Sequence, residues 1–176
     1  MIRKTDSLPS IFDPINPEDR KRHKTYDVFA ARSGIERRAY ILSPSVVGCF
    51  THFSPSCSKP CLRTPECPWC KERWPKREKG YLAGVELTSG RLVLVELTKG
   101  AYESCPLLLK DAGRLRGRTI VLGRRGQALN APVWAKLEDN LAPKSRDMLP
   151  PEFDVISALW ILWEMPDQSD PRNAGK

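Results

Sequence analysis

Tyr81-Leu-Ala-Gly-Val-Glu-Leu-Thr88 and Arg91-Leu-Val-Leu-Val-Glu-Leu-Thr98, joined by Ser89-Gly90, decide the fold class. Short aliphatic runs rich in Val and Leu read as strands, and Ser-Gly supplies the positive φ that a tight turn needs. The stretch therefore predicts an antiparallel hairpin. Both arms place a Glu just before Leu-Thr (Glu86, Glu96), a recurrence too short to mark a repeat architecture.

Working outward, Tyr26, Val28 and Ala30 alternate, and Ser33-Gly34 then leads into an apolar run over 35–42 that ends at Pro44. This predicts a second hairpin, with 46–53 extending the sheet. Beyond the central hairpin, 106–115 predicts one short helix with Pro106 in its first turn. Residues 118–123 and 131–137 predict a strand and its return across the turn Arg124-Arg-Gly-Gln, the return strand carrying Trp134. An apolar stretch over 153–165, bounded by Pro151 and Pro166, predicts a docked C-terminal helix.

The expected fold is mainly β: a small OB-like β-barrel with an inserted zinc-binding loop, one short helix and a C-terminal helix. Closing a small sheet into a barrel removes exposed edges, and an OB-like barrel tolerates long inserts between strands. The expected boundaries are a flexible basic N-terminal arm at 1–24, the barrel at 25–137 with its insert at about 49–80, a linker at 138–151, and a helix with an acidic tail at 152–176.

The insert carries the clearest chemistry: Cys49-Phe-Thr-His52-Phe-Ser-Pro-Ser-Cys57-Ser-Lys-Pro-Cys61-Leu-Arg-Thr-Pro-Glu-Cys67-Pro-Trp-Cys70. Five of the six cysteines fall here, and Cys105 stands alone. A disulfide framework would spread its cysteines across the fold, whereas paired thiolates at short spacing wrap a single ion. Cys57-x3-Cys61 and Cys67-x2-Cys70 form the predicted Zn²⁺ set, with His52 as the alternative ligand and Cys49-x2-His52 as a further pair. Cys67-Pro-Trp-Cys70 also matches a thiol-redox spacing, but that chemistry needs a βαβ setting that is missing here. The clustered cysteines point to a reducing, cytoplasmic compartment.

Of 176 residues, 29 are Lys or Arg and 21 Asp or Glu, for a formal charge of +8. The excess is uneven. Residues 1–130 hold 24 basic and 13 acidic side chains, and residues 131–176 hold 5 and 8. Basic clusters at 20–38, 71–79 and 110–125, interleaved with aromatic residues, point to a polyanion. No apolar stretch reaches the roughly 18 residues of a membrane span, and the first ten residues lack the apolar run of a secretory signal. There is no phosphate-binding Gly-rich loop, no Gly-x-Ser-x-Gly and no His-Glu-x-x-His, and His23 and His52 are the only histidines. A zinc deaminase would need His-x-Glu ahead of its Pro-Cys-x-x-Cys, and that is missing too. A binding role is therefore expected rather than an enzyme.

The expected function is single-stranded nucleic-acid binding of low sequence specificity, DNA ahead of RNA, in replication, recombination or repair. A barrel interrupted by a short Cys/His insert is similar in architecture to zinc-containing single-strand-binding proteins of phage type. Arg32, Arg37, Arg38, Lys71, Arg73, Arg118, Arg124 and Arg125 are the expected backbone contacts. Tyr40, Trp69, Trp74 and Tyr81, with Tyr26, are the expected stacking platforms. The alternative function is a zinc-containing adaptor that binds a protein through the insert, the C-terminal helix or the tail.

Overall fold

A computed structural model describes residues 26–53, 58–128, 131–138 and 149–163. The expected N-terminal arm, most of the 138–151 linker and the acidic tail lie outside the described residues. The strands are β1 Asp27–Phe29, β2 Arg37–Ile41, β3 Val47–Phe53, β4 Ser58–Pro60, β5 Lys76–Glu86, β6 Leu92–Thr98, β7 Thr119–Arg124 and β8 Val133–Glu138. Among the described residues four helices accompany them: α1 Pro68–Lys71, α2 Lys99–Ser104, α3 Leu107–Lys110 and α4 Val155–Leu162.

The central hairpin is β5–β6, with Leu82 opposite Val95 and Gly84 opposite Val93. Gly90 closes its turn at φ +67, donating its N–H to the Glu86 carbonyl at 2.8 Å. β5 is the spine of the sheet. One edge carries β6, and the other carries β3 along its first half and β2 along its second. β2 and β3 thus behave as one long strand broken at 42–46. Pro44 has no N–H to donate there, and the Ser43 hydroxyl accepts the Ala83 N–H at 2.8 Å in place of a backbone carbonyl. The full order is β1-β6-β5-β2-β7-β8, with β3 on β5 and β4 on β3.

Residues 81–84 are buried on both faces of the sheet, which is why this arm of the hairpin reads as an almost unbroken apolar run. Phe29, Ile41, Leu82, Val95, Leu97, Leu108, Ile120 and Leu122 form the inner core. Leu42, Val47, Cys49, Tyr81, Ala83 and Leu94 form an outer layer, covered by Phe153, Val155, Ala158, Leu159 and Trp163. α4 starts sharply because the Asp154 carboxylate accepts the N–H groups of Ile156 at 2.9 Å and Ser157 at 3.3 Å. Trp163 meets Tyr81 edge to face at 5.7 Å, and the Arg116 guanidinium ties the Pro150 carbonyl to that of Leu42. At roughly 1.5–3 kcal/mol for each fully buried large apolar side chain, α4 is an integral layer of the fold.

Three sequence expectations are revised. The first hairpin does not form: β1 pairs parallel with β6, β2 pairs with β5 and β7, and Ser33-Gly34 closes only an isolated Arg32–Ile35 bridge. The helix expected over 106–115 spans only Leu107–Lys110 (α3), and a further helix, α2, precedes it. Within α2, a Cβ on Gly100 would stand 2.6 Å from the Val133 carbonyl oxygen, so glycine lets the helix press on β8. Finally, strand pairing does not close the sheet among the described residues. β1 occupies the outer edge of β6, and the Ser104 hydroxyl accepts the Ala135 N–H on the outer edge of β8.

Candidate metal centre

The insert is a β3–β4–β5 extension whose far end folds around α1. His52 stands on β3 between Lys59 of β4 and Lys76 of β5. Cys61 directly follows β4, its N–H donating to the Phe50 carbonyl at 2.7 Å. Cys67 is the N-cap of α1, which Pro68 starts, and Cys70 lies within α1. Together these four residues bring one nitrogen and three sulfurs within 4.8 Å of one another.

The separations suit one tetrahedral ion. With Zn–S near 2.3 Å and Zn–N near 2.0 Å, tetrahedral edges run about 3.8 Å between sulfurs and about 3.5 Å between sulfur and nitrogen. Cys61 Sγ–Cys70 Sγ is 3.7 Å, Cys67 Sγ–His52 Nε2 is 3.7 Å and Cys70 Sγ–His52 Nε2 is 3.3 Å. The donor set is consistent with zinc. His52 Nδ1 lies 3.1 Å from the Trp74 carbonyl oxygen. That oxygen can only accept, so Nδ1 carries the proton and Nε2 presents its lone pair to the sulfurs. His52, Cys61 and Cys67 are buried and Cys70 is exposed.

Burial alone would raise the Cys67 thiol. Hydrogen bonds from the Leu62 and Cys70 backbone and from the Cys70 and Cys61 thiols outweigh it, and the net shift is downward. Desolvation first, and then the Cys61 and Cys67 thiols, push Cys70 up to about 11. Cys49 behaves differently: burial under α4 pushes it up to about 12, so it acts as a small apolar side chain. Cys105 sits in the inner core. Cys57, predicted as a ligand, lies outside the described residues; His52, the predicted alternative, is one of the four convergent donors.

Comparison with known protein families, with curated proteins and with solved structures found no match.

The other predicted contacts divide into two groups. Tyr81 is 1% exposed and its hydroxyl donates to Glu96, so it packs as core and cannot stack a base. Arg37 lies over the Phe29 ring at 4.0 Å, bound to Glu86 and the Ala30 carbonyl. Arg124 binds the Ala31 and Ala131 carbonyls and Arg118 binds Asp111, so all three serve the fold. Tyr26 stacks on Phe153 at 3.8 Å, and Tyr40 is half-buried. Arg32, Arg38, Lys71, Arg73 and Arg125 are exposed. Arg38 pairs with Glu138 and Lys71 with Glu66. Trp69 is partly buried beside His52, its ring 6.3 Å away, and Trp74 contributes its carbonyl to that histidine.

Sequence reasoning overlooked the insert's own cation–aromatic pairs. Arg63 and Lys76 lie over Phe50 at 5.2 and 4.9 Å, and Arg77 lies over Phe53 at 4.8 Å. Phe53 is 40% exposed. The available signal was Cys-Phe-Thr-His-Phe itself, which on a strand extending beyond the core puts one Phe ring on each face. Residues 47–80 carry seven basic and three acidic side chains. Arg63 and Arg73 hold left-handed backbone at φ 57 and 59, a conformation uncommon for such side chains; Arg63 lies between the candidate ligands Cys61 and Cys67.

Proposed function

We propose that the protein binds single-stranded nucleic acid, DNA ahead of RNA and with little sequence specificity, on an insert organised by zinc. The observation that carries this reading is the conjunction of a centre of one histidine and three cysteines with partly exposed Phe rings flanked by Arg and Lys. Rings offer every base a stacking face, cations follow the backbone, and a metal fixes both on a segment with too little apolar material to pack alone. The same composition supports a role in replication, recombination or repair rather than catalysis.

The connectivity supports the OB-like reading. Counting β2–β3 as one bent strand, the order is bent strand, β5, β6, helices, β7, β8, with the bent strand between β5 and β7. That is the layout of a five-stranded OB barrel in which the loop between the first two strands, a customary ligand-binding loop, has grown into the metal insert. The outer face of β5–β6 lies under α4, so the insert, rather than the sheet face, is the surface proposed here. The apolar side of α4 faces the sheet, and an adaptor role through this helix has correspondingly less support.

Fluorescence anisotropy tests the reading with labelled oligo(dT) and a duplex of equal length. Stronger binding to the single strand is expected, with a log–log salt slope of about −2 to −3, as for three or four neutralised phosphates. Equal or negligible binding of both at low salt overturns it.

A further inference from the structure

The far end of β5 forms a second polar site. Asp27, Arg32, Arg37, Glu86, Ser89 and Arg91 line a cleft of about 410 Å³, within the roughly 300–1,000 Å³ usual for small-molecule sites. Its floor is rigid. Arg37, stacked on Phe29 of the inner core, binds Glu86 at 2.6 Å, and Glu86 also accepts the Ser89 hydroxyl at 2.7 Å. The rim is loose: Arg32 is exposed, and Arg91 reaches Asp27 only at 3.9 Å, their side chains 76% and 79% exposed. Such a surface pair contributes little and is readily given up. Three guanidiniums therefore face two carboxylates, one of which Arg37 already neutralises.

We propose that this cleft binds a phosphate monoester, held by Arg32 and Arg91 at the rim with Arg37 beneath. Planar guanidiniums bind phosphate oxygens in pairs, and exchanging the long Arg91–Asp27 contact for a dianion strengthens the rim. A free mononucleotide and the terminal phosphate of a nucleic-acid strand present the same group. The site does not depend on the insert, since the ten-residue rise from Lys76 to Glu86 separates them by about 33 Å.

Calorimetry with inorganic phosphate and thymidine 5′-monophosphate tests the site on the intact protein. Saturable one-to-one binding is expected, with a dissociation constant of about 1 mM or tighter. It should weaken about tenfold in Arg32→Ala and in Arg91→Ala, the loss expected for one charge-assisted hydrogen bond, and stay unchanged in Arg114→Ala, an exposed arginine outside the cleft. Absence of saturation with both probes overturns the proposal, as does binding indifferent to Arg32 and Arg91. The source is read from oligo(dT) with and without a 5′-phosphate. A gain from the phosphate that Arg91→Ala abolishes assigns strand ends; no gain, with the monophosphate still bound, assigns free nucleotides. Mononucleotide binding survives a failure of the strand-binding reading, so the two are separable.

Discussion

His52→Ala is expected to leave the purified protein without bound metal, whereas Cys57→Ser retains one equivalent of zinc. Three cysteines and His52 already supply four donors within 4.8 Å of one another, so a tetrahedral ion has no need of Cys57. A structural zinc site contributes an apparent 10–16 kcal/mol or so to the segment it folds. Losing one of four ligands removes enough of this to lower affinity by several orders of magnitude. Elemental analysis reads the stoichiometry. Hydrogen exchange should show protection lost at 59–78 and kept over 81–86 of β5 and in β6 and β2, whose core contacts are independent of the ion. Full metal in His52→Ala, or none in Cys57→Ser, contradicts the ligand assignment.

Phe53→Ala is expected to weaken oligo(dT) binding about tenfold or more, since stacking one base on one ring is worth about 1–3 kcal/mol. The ring is 40% exposed and lies beneath Arg77, so truncation removes little from the fold. Arg77→Ala should weaken binding too, and should reduce the salt slope by about one phosphate. Anisotropy at two salt concentrations separates the effects: Phe53→Ala lowers affinity at both and leaves the slope alone. Unaltered affinity in both variants would remove the cation–aromatic pairs from the proposed interface.

The residues that made the fold legible are those whose local pattern and tertiary fate agree. Over 81–98 the apolar run, the Ser-Gly turn and the two-sided burial all demand the same hairpin, which formed. Over 26–42 the local pattern was equally hairpin-like, yet β1 pairs with β6, an edge supplied by residues some 65 positions later. Nothing local encodes such a partner, because β pairing takes its stability from whichever edge the rest of the sheet leaves open. Tyr81 illustrates the same limit. Aromatic and preceded by Lys76, Arg77 and Lys79, it resembles a stacking platform, and only the docking of α4 more than seventy residues later buries it.

The candidate site was legible as chemistry and less so as geometry. Cysteine spacing located the metal centre and restricted its donors. That His52 joins the three sulfurs depended on β3 pairing with both β4 and β5, which aims the imidazole at them and sets Nδ1 on the Trp74 carbonyl. Arginine-rich clusters were visible, but their roles were not. Arg37 and Arg124 carry charge like their neighbours, yet they lie against backbone carbonyls that only the folded chain brings close.

The central claim is that the metal organises the surface that holds the strand. Its most direct test is oligo(dT) anisotropy at low salt on the zinc-loaded protein and on His52→Ala, with circular dichroism showing that the β signal persists in both. Loss of at least about tenfold in affinity with the metal is predicted, because the stacking rings and cations then lose their common frame. Equal affinity in the two proteins would contradict it.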